Sequence, residues 1–134
     1  MSVPKSKRQE GELRVLTKAN DLMAYTITVC SSEKNIPKRY RWCLTSRIID
    51  TTADITDLII HANSILVKSD ADKLNLERRL QMVAEALELT YVLLNQVQIA
   101  YQIFKISSDR IEYWTGEIKE LQRLLRGWKK GHKL

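Results

Sequence analysis

Lys38, Arg39 and Arg41 stand within four positions of one another, interleaved with Tyr40 and Trp42 and preceded by Pro37. Cations bind phosphate, carboxylate or an anionic surface, and aromatic rings between them can stack on bases. Pro37 suits a helix's first turn, because its missing N–H has no partner there. Three cations in that turn oppose the positive end of the helix dipole, which disfavours each by a few tenths to about 1 kcal/mol. A local rule broken without local gain marks a place where function is sought.

Other cations extend the pattern. Lys119, Arg123, Arg126 and Lys130 step by four, three and four, which places them on one stripe of a helix. Cations near a helix C-terminus are also favoured electrostatically, which accounts for Arg126 and Lys130 better than for Lys119. Lys34 precedes the knot, and Arg78 and Arg79 lie within an acidic segment. Residues 1–47 carry ten Lys and Arg against four acids, residues 48–104 four against eight, and residues 105–134 eight against four. The formal charge of the 134-residue chain is +6, concentrated at its two ends. Such a surface attracts nucleic acid, an anionic membrane or an acidic protein.

Catalytic chemistry has little material. His61 and His132 are the only histidines, and no carboxylate stands three residues before His61, so the Glu-x-x-His spacing of a di-metal bundle is missing. Asp50, Asp54 and Asp57 follow the spacing of a solvated helix face. No Gly-rich phosphate loop or nucleophile elbow is present. Cys30 and Cys43 lack zinc-type spacing and read as small buried hydrophobes. The expectation is a protein with no enzyme activity, metal or cofactor. No signal peptide or membrane span is visible, which makes a cytoplasmic protein the default.

Four amphipathic segments position these residues. Residues 1–11 read as a disordered basic arm, 12–128 as one four-helix domain and 129–134 as a mobile basic tail. The first helix spans 12–32 with a face of Leu16, Ala19, Met23, Ile27 and Cys30, widened by Val15, Leu22 and Val29. The second spans 38–67, with Leu44, Ile48, Ile55, Leu58, Ile59, Ala62 and Leu66 as core. The third spans 71–106, with Leu76, Leu80, Val83, Leu87, Tyr91, Leu94, Gln98 and Tyr101 as core. Ser69, with Asp70 and Asp72, suits its start. The fourth spans 110–127, opened by an Asp109–Glu112 capping pair, and Ile111, Trp114, Ile118, Leu121, Leu125 and Trp128 step along it by three and four. The expected fold is all-α, an antiparallel up-down four-helix bundle. In that topology Lys34, Lys38, Arg39, Arg41, Lys105 and Arg110 share one end.

Two helices carry a second apolar stripe: Trp42, Ile49, Ala53, Ile60 and Val67 on one, Leu89, Val92, Ile99 and Ile103 on the other. A helix apolar on two sides is buried on two sides, so Trp42, Ile49, Ile60, Leu89, Val92, Ile99 and Ile103 are candidates for a subunit interface. Trp42 is weighted toward packing rather than base stacking, and Tyr40 is open between the two.

Lys18-Ala19-x-x-Leu22-x-x-Tyr25, Ile36-Pro37-Lys38-x-x-Arg41-x-x-Leu44 with Ile48, Ala62-Asn63, and Ile118-x-x-Leu121-x-x-x-Leu125-x-Gly127-Trp128 run along nearly the whole chain. On these residues the chain resembles the accessory variability determinant (Avd) family of diversity-generating retroelements. The outline is shared with four-helix-bundle proteins encoded in ribosomal RNA intervening sequences. Ile36 stands where that outline often has Phe, and Arg126-Gly127-Trp128 replaces a paired glycine. The resemblance implies a basic homopentameric ring of bundles that associates with a reverse transcriptase and binds RNA or DNA during mutagenic cDNA synthesis, without catalysis of its own. Its position-matched cations are Lys38 and Arg41. Lys34, Arg39, Arg78, Arg79, Lys119, Arg123, Arg126 and Lys130 join the candidate nucleic-acid surface on charge alone. The alternative expectation is a protein adaptor whose basic face meets an acidic partner.

Overall fold

The structure is a computed structural model that describes residues 5–69 and 72–131. Four α-helices carry them: α1 (Lys5–Ser31), α2 (Ser46–Ser64), α3 (Lys73–Ile103) and α4 (Ser108–Gly131). A 3₁₀ turn (Lys38–Tyr40) and a π turn (Arg41–Thr45) lead into α2. No strand occurs among the described residues. α1 packs on α2 and α4, and α3 packs on the same two helices, so the four close around one core as a helical bundle. No helix is long and apolar enough, within these residues, to cross a membrane.

α1 begins at Lys5 and α4 runs on to Gly131, so parts of the expected arm and tail belong to helices. Residues 1–4 and 132–134, and Asp70 with Ala71, lie outside the described residues. In α1 the buried line is Val15, Ala19, Leu22, Thr26 and Val29, while Ile27 is exposed. The residues expected to widen the face are therefore its centre.

α3 shows a similar offset. Leu76, Arg79, Val83, Ala86, Thr90, Leu93, Val97 and Ala100 are buried, in strict alternation of three and four. This is the heptad seam of closely packed helices. The expected stripe ran one position later at most sites. Leu80, Leu87 and Leu94 flank the seam half-buried, and Tyr91, Gln98 and Tyr101 face solvent. Small side chains at Ala86, Thr90 and Ala100 let neighbouring backbones approach, and the bulkier leucines close the sides. Just past α2, Ile65 is buried and Leu66, expected in the core, is exposed.

The caps also differ. The Arg110 N–H donates to Ser107 Oγ (3.3 Å) and the Ile111 N–H to Ser107 O (3.1 Å), so Ser107 caps α4 rather than Asp109. Asp109 lies in the first turn, where its charge suits the helix dipole. At α3 the cap position is Asp72, whose carboxylate accepts from the Lys68 N–H (2.9 Å).

α4 matches the expected face fully: Ile111, Trp114, Ile118, Leu121, Leu125 and Trp128 are all buried. The indole N–H of Trp114 donates to Thr26 Oγ1 on α1 (3.0 Å).

Candidate nucleic-acid interface

The basic knot is built ahead of α2, not in its first turn. Pro37 is extended at φ −58° and ψ 146°, and its carbonyl accepts from the Tyr40 N–H (3.0 Å) to close the 3₁₀ turn. The Ser46 N–H then bonds back to Arg41 O, an i→i+5 turn. The spacing explains this widening. Ile36, Tyr40, Leu44, Ile48 and Thr52 all face inward at steps of four. Each such step overshoots an α-helical turn by about 40°. A π turn takes up the surplus, and such turns are frequent at functional sites. Lys38, Arg39 and Arg41 thus precede α2, but the two turns run into it without a break, so these cations still stand at the positive end of one helical run.

All three cations are exposed. Among the described residues, no carboxylate lies within ion-pair distance of them. The Arg39 guanidinium sits over the Tyr40 ring, 5.2 Å from its centroid. Tyr40 in turn meets Phe104 edge-to-face, with centroids 4.8 Å apart and planes at 70°. Such a pair contributes about 0.5–1.5 kcal/mol beyond its buried area. It fixes the knot to the connection between α3 and α4, beside Lys105. Tyr40 is therefore an anchor packed on the core. Trp42, two residues on, is 81% exposed.

The remaining cations divide. Lys34 is exposed in the turn before the knot, a turn held by Asn35, whose amide donates to Val29 O (3.1 Å). Arg110 is exposed at the start of α4, with its carbonyl 3.4 Å from the Tyr25 hydroxyl. Lys119, Arg126 and Lys130 are exposed along α4, leading away from the knot end. Arg126 also donates to the Tyr91 hydroxyl on α3. Arg123 lies on the same stripe with its charge shared: it forms a two-pronged pair with Glu120, which holds that carboxyl below its ordinary range.

Two candidates stand apart from this set. Arg79 is nine-tenths buried. Its Nε donates to Ala62 O (3.1 Å), Nη2 donates to Ile65 O, and Nη1 meets Glu12 at 3.3 Å. This guanidinium closes the end of α2 and is not presented to a partner. Arg78 is exposed, but it lies ~39 Å along α3 from the Phe104 contact. It cannot share a phosphate with the knot. On α1, Lys18 pairs with Glu117 (2.7 Å), which raises the Lys18 pKa.

No family model, curated protein or solved structure matches the chain. Among the described residues, no three His, Cys, Asp or Glu side chains gather to hold a metal.

The expected interface residues also divide. Trp42, Ile60, Val92, Ile99 and Ile103 are exposed, whereas Ile49 and Leu89 are half-buried and pack against the core. Tyr91 and Tyr101 add to the exposed apolar surface of α3. Their inward expectation failed for the same reason that the α3 seam shifted.

The cysteines differ in access. Cys30 is buried, and burial pushes its thiol up to about 12. Cys43 is exposed in the π turn, contrary to the expectation of two buried thiols. With a thiol reagent at pH 8, Cys43 should react rapidly and Cys30 only on unfolding. Cys43→Ser should abolish the rapid phase; two rapid thiols would contradict this burial pattern.

Proposed function

We propose that the chain is a non-enzymatic nucleic-acid-binding accessory subunit that works beside a retroelement reverse transcriptase in mutagenic cDNA synthesis. The observation that carries it is the exposed cluster of Lys38, Arg39 and Arg41, without an acidic partner among the described residues and held in place by the Tyr40–Phe104 contact. Lys34 and Lys105 lie beside this cluster, and Lys119, Arg126 and Lys130 form a second exposed basic stripe along α4. Exposed cations on fixed elements suit a phosphate backbone, with little selection among base sequences. The reverse transcriptase as partner rests on the family resemblance.

The bundle is read as antiparallel and up-down. Lys18 meets Glu117 while Tyr25, later in α1, meets Arg110 and Tyr113, earlier in α4. That order supports opposed directions of α1 and α4. The exposed apolar side chains Ile60, Val92, Ile99 and Ile103 support assembly into a homo-oligomeric ring, five-membered by resemblance. Light scattering should show an oligomer at micromolar concentration, and a monomer would remove this part.

Lys38→Ala with Arg41→Ala should weaken binding to RNA or DNA roughly 30-fold at 0.1 M salt. The slope of log affinity against log salt should fall by about 1.5–2, as for two lost phosphate contacts. Wild-type protein that binds neither RNA nor DNA at low salt would overturn the nucleic-acid function and leave the basic face to an acidic protein partner.

A further inference from the structure

We infer that Trp42 is a base-stacking residue of this interface, so that the site takes single-stranded nucleic acid in preference to duplex; this rests on the nucleic-acid reading above. Among the described residues Trp42 is the most exposed of the large apolar side chains, whereas the other two tryptophans, Trp114 and Trp128, are buried. Its neighbours within four positions include Lys38, Arg39 and Arg41, all exposed and without an acidic partner among the described residues.

The segment that displays the indole is fixed on both sides. Before it, Tyr40 packs on Phe104. After it, Leu44 is buried and the chain enters α2. An aromatic ring held out by a braced turn keeps its faces free at little entropic cost on binding. An unpaired base has a free π-face to stack on that ring, and its flanking phosphates bring the anions that Lys38, Arg39 and Arg41 lack. In a duplex the base faces are already stacked on one another, so only the phosphates remain to be bound.

The expected subunit contact at Trp42 fits its surroundings less well. A subunit contact through the indole would bring Lys38, Arg39 and Arg41 against a copy of a chain whose own net charge is +6. A nucleic-acid strand neutralises the same charges. Ile60, Val92, Ile99 and Ile103 are not in the knot and remain for assembly.

The test compares three probes: a twenty-residue oligothymidylate, an abasic strand of the same length and a twenty-base-pair duplex. Trp42→Ala should weaken oligothymidylate binding between about 5- and 150-fold, the range expected for one lost stacking contact. Its affinity for the abasic strand and the duplex should stay within about twofold of wild type. Trp42→Phe should retain most of the affinity. Oligothymidylate should quench the indole fluorescence of the wild type, and that response should vanish in Trp42→Ala. Lys38→Ala with Arg41→Ala should weaken all three probes together.

If Trp42→Ala binds oligothymidylate like the wild type, stacking is overturned while nucleic-acid binding stands. If Trp42→Ala instead changes the oligomeric state by light scattering, Trp42 is a subunit contact and stacking is likewise overturned. Wild-type protein that binds none of the probes overturns both.

Discussion

Arg79→Met is expected to cost about 2–4 kcal/mol of stability, roughly 10 °C in Tm, and to leave the nucleic-acid affinity of the folded protein unchanged. The last carbonyls of a helix have no partner within it. At the end of α2, Arg79 supplies donors to Ala62 O and Ile65 O, and the same guanidinium meets Glu12 on α1. One side chain of α3 thereby ties three helices together. Met keeps much of the alkyl bulk and removes the hydrogen bonds, so the loss measures the polar contacts rather than a cavity. Arg79→Lys should recover little, because one ammonium cannot match a planar fork aimed at acceptors on two helices. Thermal or urea unfolding reads the effect. An Arg79→Met variant that melts with the wild type would show that these carbonyls are satisfied without it.

Trp114→Ala should be more damaging, at about 3–5 kcal/mol. Trp114 is wholly buried in α4 and is the largest of the fully buried side chains among the described residues. Its ring lies edge-on to Tyr25, with centroids 6.4 Å apart, and its N–H bonds to Thr26. Truncation therefore opens a cavity and strands a buried hydroxyl. The polar part can be separated from the packing part. Trp114→Phe and Thr26→Val each leave one partner of the hydrogen bond unpaired, at about 1–3 kcal/mol. The double variant removes both partners and should cost less than the two single changes added together. Strict additivity in urea unfolding would mean that the 3.0 Å contact contributes nothing specific.

These two residues differ in how far the sequence discloses them. Trp114 belongs to a series on α4 in which every third or fourth residue is large and apolar. Periodicity alone sends that face inward, because no competing face exists. Its partner Thr26 carries no such signal, being a polar residue on a face that reads well without it. Arg79 is harder still. Arg78 and Arg79 are adjacent cations, and charge cannot tell which one is buried. Only the phase of α3 decides, and that phase is set by helix approach rather than by hydrophobicity. The seam runs through Arg79, Ala86, Thr90 and Ala100 because small side chains permit close packing and one long side chain finds acceptors beyond it. Choosing the most apolar side chains selects Leu80, Leu87 and Leu94, which border the seam.

The knot shows the same division at closer range. By itself the sequence determined four helical segments, the inward face of α4, and a cluster of cations beside two aromatic rings. It did not determine which ring turns inward. Phe104, distant in the chain, arrives at the knot only when α3 packs on α2, and Tyr40 closes against it. The run of inward residues at steps of four then loosens one turn from α to π, and Trp42 is left outside with Lys38, Arg39 and Arg41. Local pattern fixes which segments are helical because the helical period is a property of neighbouring residues. Tertiary packing decides which side chains remain available, because burial depends on what a distant helix brings.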